Sequence, residues 1–179
     1  MSKGTKDILI TSIYLLLVLA GVYFVITFVG QRIEVIGSSM DPTLKSGDHL
    51  LVDKLSYRLK DPERFDIIVF PYQYEENTYY IKRIIGLPGE TVYIDPDGNI
   101  YINGELLEEG YGKETILNPG LAYKSILLGD DEYFVMGDNR NNSMDSRDPN
   151  VGNLKRSMII GKAFMRVYPF KNMGMIKHQ

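Results

Sequence analysis

The sequence predicts a mostly β domain carried on one N-terminal membrane-spanning helix. Three observations predict it. Ile8 to Val29 holds no charged residue, and about twenty apolar residues suffice for a helix to cross a bilayer. Short β-branched and aromatic runs follow, separated by Gly, Pro, Asn and Asp turns. The chain has 179 residues, enough for one domain with its own core and an appendage.

In chain order, residues 1–7 read as a short polar tail, 8–30 as the anchor and 31–179 as the β-rich domain. Thr11, Ser12 and Thr27 can return their hydroxyls to the helix backbone, and Tyr14 and Tyr23 are tolerable in such a segment. A buried core helix and a cleaved signal peptide are the alternatives. The run is too long for a typical signal-peptide core, and only Gly30-Gln31-Arg32-Ile33 follows, with no small-x-small cleavage site. Lys3 and Lys6 favour a cytoplasmic N-terminus, which Arg32 on the other side weakens. Strands are expected at Ile33–Ile36, His49–Val52, Ile67–Phe70 and Thr78–Ile85, the last broken by Gly86-Leu87-Pro88-Gly89. Val92–Ile94 and Ile100–Ile102 flank Asp95–Asn99 as a hairpin, and Asn103-Gly104 offers a second tight turn. Glu105 to Tyr123 reads as a surface excursion. Glu132–Met136 and Ser157–Tyr168 supply the late strands.

Composition narrows the chemistry. Net charge is −3 with no basic block, so nucleic acid is not an expected partner. There is no cysteine, which excludes a disulfide framework, a thiol nucleophile and thiolate metal sites. His49 and His178 are the two histidines, too few for a His-based triad or zinc site. No motif calls for a metal or organic cofactor. Any hydroxyl nucleophile must therefore find another base, and lysine is the main candidate. A solvated lysine is almost wholly protonated, so it serves only where burial lowers its pKa.

Three stretches stand out behind the anchor. The first is Gly37-Ser38-Ser39-Met40-Asp41-Pro42-Thr43-Leu44. The second is Tyr80-Ile81-Lys82-Arg83-Ile84-Ile85-Gly86-Leu87-Pro88-Gly89. The third is Gly137-Asp138-Asn139-Arg140-Asn141-Asn142-Ser143-Met144-Asp145-Ser146-Arg147. On a regular strand Lys82 and Arg83 point to opposite faces, which makes Arg83 a structural ion-pair partner rather than a second base. Ile81, Ile84 and Ile85 are apolar neighbours for Lys82, though alternation keeps some of them off its face. Asp138 and Arg83 could pair. Met40 and Leu44 read as packing residues and Pro42 as a turn lock.

In this order behind a membrane segment, the three stretches resemble type I signal peptidases in their short Gram-positive-like form, from the anchor to about Phe170. The resemblance implies a signal-peptidase-like β-sheet fold and a serine endopeptidase. Ser39 matches the family's nucleophile and Lys82 its general base. Ser143 matches the serine that orients the lysine, and Asp145 and Arg147 match supporting charged residues. Some members carry a serine where this chain has Gly37, so an oxyanion hole here must use backbone donors, with the Ser39 amide as the candidate. Ile36, Gly37, Met40 and Tyr80 are candidate substrate-binding residues, with Glu34–Gly37 and Thr78–Lys82 as edges for an extended peptide. The implied partners are secreted pre-proteins cut after an Ala-x-Ala-like pattern, the lipid bilayer and, nearby, the secretion channel. The implied location is a bacterial cell membrane, with the N-terminus cytoplasmic and the catalytic domain outside. The other readings are a non-proteolytic membrane-anchored assembly or chaperone relative, a peptidase dedicated to one substrate such as a pilin, and a self-cleaving repressor.

Overall fold

The structure, a computed structural model, describes residues 3–24, 30–75 and 78–176. Thr27, His178 and positions 25–29 of the expected anchor lie outside the described residues. Helix α1 (Lys3–Phe24) starts earlier than the apolar run itself. Its 22 residues span about 33 Å at the α-helical rise, against a hydrocarbon core of about 30 Å. Thr11 Oγ1 donates to the Asp7 carbonyl at 2.9 Å, returning its hydroxyl to the backbone. Ile8, Ile10, Leu16, Leu17 and Leu19 lie 60–69% exposed around the helix. A helix with apolar side chains on all sides and no protein over them fits a membrane anchor.

Beyond it the chain is built from short strands: β1 (Gly30–Glu34), β2 (His49–Asp53), β3 (Ile67–Pro71), β4 (Tyr79–Gly86), β5 (Thr91–Ile94), β6 (Ile100–Ile102), β7 (Glu105–Leu106), β8 (Ile126–Leu127), β9 (Glu132–Met136), β10 (Leu154–Lys155), β11 (Gly161–Tyr168) and β12 (Gly174–Met175). A short helix, α2 (Ser56–Leu59), follows β2. One sheet runs β1-β2-β11-β3-β4-β9-β10, with β12 on β11. A second runs β7-β6-β5-β8. The strand pairs within both are antiparallel. The turn at Asn103-Gly104 has φ of 53° and 84°, the positive pair that a two-residue hairpin loop needs.

The continuous apolar runs of β3 and β9 have a simple cause: both faces are buried. Ile67 and Val69 enter a cluster with Val35, Met40, Leu44 and Leu50, while Ile68 and Phe70 enter another with Tyr57 and Ile84. On β9, Tyr133 and Val135 join the Tyr57 cluster, and Phe134 and Met136 join a third between the two sheets. Strand β4 pairs with β3 on one side, setting Ile68 opposite Lys82, and with β9 on the other, setting Arg83 opposite Met136. It thus carries the second motif through the middle of the large sheet.

Three expectations are corrected. The strand expected at Ile33–Ile36 lies at Gly30–Glu34, because Gly37 (φ +90°) swings the chain outward and leaves Ile36 88% exposed. The strand expected from Ser157 begins at Gly161, since Arg156–Met158 closes a 3-10 turn. The segment Glu105–Tyr123 is not only surface: Ile116 and Ala122 plug the cluster between the sheets.

Candidate active site

The nucleophile candidate sits on a loop fixed from below and from the side. Met40 and Leu44, 2% and 0% exposed, anchor the loop in the core beneath Ser39. Asn139 N–H donates to the Ser39 carbonyl at 3.0 Å, and Asn139 Nδ2 to the Ser38 carbonyl at 3.0 Å. Ser38 Oγ accepts from Asn142 Nδ2, also at 3.0 Å. The Ser39 N–H has no acceptor among the described residues.

Lys82 Nζ lies 2.8 Å from Ser39 Oγ and 3.1 Å from the Ile81 carbonyl. Strand alternation places it on the face shared by Tyr80 and Ile84, while Ile81 and Ile85 turn the other way into separate clusters. The Tyr80 ring centre lies 4.9 Å from Nζ. The lysine is 3% exposed, and burial pushes its pKa down to about 8 from 10.5, partly opposed by the negative charges of Asp145 and Asp138.

Arg83, on the opposite face, meets Asp138 through two hydrogen bonds of 2.7 and 2.9 Å, with both side chains fully buried. The same carboxylate accepts from Thr43 Oγ1 at 2.5 Å, tying the Ser39 loop to the third motif. Asp145 is fully buried. It accepts from Gly137 N–H at 3.0 Å and from Arg147 Nε at 2.9 Å. Arg147 also donates to the Arg140 carbonyl at 2.5 Å, which closes the loop on itself. A Cβ at Gly137 would collide with Ser143 Oγ and with the Ser39 carbonyl, so glycine permits this close approach. The expected hydrogen bond from Ser143 to the lysine is not made. Ser143 Oγ is buried without a partner, because Nζ is directed at Ser39 Oγ and the Ile81 carbonyl.

A groove of about 830 Å³ opens over these atoms. Its lining comes from 31–40, Glu75, 78–82, Asn142 and Met144. Ile36, Gly37, Met40 and Tyr80 all line it. Among the described residues no three His, Asp or Glu side chains converge as metal ligands would.

The chain is also similar to known proteins. The family model described as signal peptidase, peptidase S26, matches residues 7–168. The chain belongs to the signal peptidase S26 family. A probable signal peptidase I-2 of Synechocystis sp. is 42% identical over 155 residues, covering 84% of this chain and 68% of that protein. A signal peptidase I of Leptolyngbya laminosa is 41% identical over 155 residues, covering 83% and 73%. A signal peptidase I P of Bacillus subtilis subsp. natto is 38% identical over 162 residues, covering 87% and 86%.

Reading the signal peptidase motifs alone misses several groups around the site. Thr43 on Asp138 and the clasp of Asn139 and Asn142 on Ser38 are contacts between residues far apart in sequence, while the Tyr80 ring meets the lysine two residues along the same strand. The asparagines could have been found by asking what a loop dense in side-chain amides bonds to. No local signal marks Glu109, Tyr111 or Lys113, which also contact the motifs.

Proposed function

We propose that this chain is a membrane-anchored serine endopeptidase that removes signal peptides from secreted pre-proteins, with Ser39 as nucleophile and Lys82 as general base. One observation carries the assignment: a serine hydroxyl 2.8 Å from the amine of a buried lysine, at the floor of an open groove. With the lysine pKa near 8, about a tenth of the amine is neutral at pH 7, far more than for a solvated lysine. Family membership supplies the reaction class.

Neutral Lys82 removes the Ser39 proton as Oγ bonds to the scissile carbonyl carbon. The tetrahedral oxyanion forms against the Ser39 N–H, since Gly37 offers no side-chain donor. Collapse breaks the C–N bond, and the Lys82 ammonium protonates the leaving amine. Lys82 then takes a proton from water as it attacks the ester, and returns that proton to Oγ as the C–Oγ bond breaks, which regenerates Ser39 and neutral Lys82. Asp145 and Arg147 hold Gly137 and the loop behind the dyad.

The substrate lies extended between Glu34–Gly37 and Thr78–Lys82, pairing with backbone groups there. Ile36, Met40 and Tyr80 wall shallow pockets beside Gly37, and small residues at an Ala-x-Ala-like site fit them. Residues 31–179 form the catalytic unit outside the membrane and residues 1–7 the cytoplasmic end. The anchor keeps the groove near the bilayer, close to the channel from which pre-proteins emerge.

The test uses full-length protein in detergent micelles with a synthetic pre-protein carrying an Ala-x-Ala site, products being read by mass spectrometry. Wild type cleaves at that site, and Ser39→Ala and Lys82→Ala do not. Cleavage by either variant at the wild-type rate overturns the dyad, and a folded wild type inactive on a panel of such substrates overturns the function.

A further inference from the structure

The segment between β7 and the 3-10 turn at Gly120–Tyr123 has a mostly exposed surface, yet it touches all three motif stretches. Glu109 Oε1 pairs with the buried Arg140 at 2.7 Å. The Tyr111 ring lies over the Arg83 guanidinium, 3.7 Å from carbon to ring centre, and packs on Phe65 at 5.1 Å. Lys113 N–H donates to the Asp138 carbonyl at 2.8 Å, and its Nζ to Asp41 Oδ2 at 2.7 Å. Asn141 binds the Thr115 carbonyl and the Leu117 N–H, each at 2.9 Å. Asp41 stands two residues after Ser39, Arg83 is next to Lys82, and Asp138 and Arg140 lie on the loop that leads to Ser143.

We infer that residues 109–117 form a positioning strap, in which Tyr111 and Lys113 hold the Ser39 loop and the Lys82 strand in register from behind. This rests on the Ser39–Lys82 reading above. Neither Tyr111 nor Lys113 lines the substrate groove, so the strap acts through Arg83, Asp138 and Asp41 rather than on the peptide. The physical need is plain. Residues 36–38 are exposed and project beside the groove, and small displacements of a nucleophile are expensive: about 1 Å costs on the order of a hundredfold in rate. A tether on Asp41 and a ring flat on the guanidinium beside the base limit such displacement. The ring contact is a cation–π pair of the kind that strengthens when removed from water.

The experiment measures kcat, KM and melting temperature for full-length variants in detergent micelles on the synthetic pre-protein. Tyr111→Leu lowers kcat about tenfold and Lys113→Ala about three- to tenfold, with KM within about twofold. Tyr111→Phe keeps the ring and Lys113→Arg keeps the ion pair, so both restore near wild-type kcat. A rise in KM at constant kcat overturns the strap by making these residues substrate contacts. A lowered melting temperature with unchanged kcat overturns it by making them merely structural, as does equal loss in the Phe and Leu variants. Lys82→Ala is run alongside. If it cleaves as fast as wild type, the dyad falls and the strap with it. If it is inactive while Tyr111→Leu is fully active, the strap alone falls.

Discussion

Replacing Lys82 by Met should stabilise the protein at neutral pH while abolishing its activity. Buried Lys82 titrates near 8 in the fold and near 10.5 when unfolded. Below pH 8 both states carry the proton, and the fold bears the full cost of a buried ammonium. Between pH 8 and 10.5 the unfolded chain binds a proton that the folded chain has released, so raising the pH through this window stabilises the fold. The difference between the two pKa values amounts to about 3 kcal/mol. Met fills the same slot without a charge to desolvate, but it forfeits the bonds to Ser39 Oγ and the Ile81 carbonyl, together about 1–2 kcal/mol. At pH 7 the variant should therefore be about 1–2 kcal/mol more stable than wild type, or roughly 2–8 °C in melting temperature. At pH 10.5 only the lost bonds remain, and the order should invert. Calorimetry of both proteins in micelles from pH 7 to 10.5 reads this directly, because other titrating groups cancel in the difference. A melting-temperature difference constant across that range would refute the reasoning, as would a variant less stable than wild type at pH 7.

Four further variants follow from the same geometry. Asp138→Asn leaves Arg83 buried without its counter-charge and should cost about 3–5 kcal/mol by denaturant unfolding. It also removes a negative charge that favours the Lys82 ammonium, so the acid limb of the pH–rate profile should move to lower pH. Gly137→Ala drives a methyl group against Ser143 Oγ and the Ser39 carbonyl, and kcat should fall on the order of a hundredfold. Ser143→Ala removes a buried hydroxyl with no partner, so it should raise stability by about 1 kcal/mol. Ser38→Ala loses one bond to Asn142 and should leave kcat within about threefold.

Much of the fold was legible because its signals are local. An uncharged run of sufficient length reads as a spanning helix without reference to the rest of the chain. The runs at Ile67, Val92 and Ile100 are ended by Pro or by turn residues that leave little choice of boundary. The edges that failed, at Ile36 and at Ser157, are set by turns whose residues do not announce them. The opposite facing of Lys82 and Arg83 followed from strand alternation, and the Arg83–Asp138 pair was conceivable but could not be decided. Its separation along the chain, like that of Lys113 and Asp41, leaves no periodic trace. The missing Ser143–Lys82 bond lies beyond pattern reading for another reason: which oxygen an ammonium meets is set by local geometry that a residue pattern does not encode. The excursion from Glu105 is mostly exposed as expected, but its contacts leave no mark in the sequence, because Gly and charged residues look alike whether a loop is idle or stitched to a site.

The most direct test of a buried lysine acting on Ser39 is the pH dependence of kcat/KM for wild type on the synthetic pre-protein. It should rise about tenfold per pH unit on the acid side and level off around pH 8, where Lys82 loses its proton. A midpoint near 10.5, or no dependence between pH 6 and 9, would contradict Lys82 as the base.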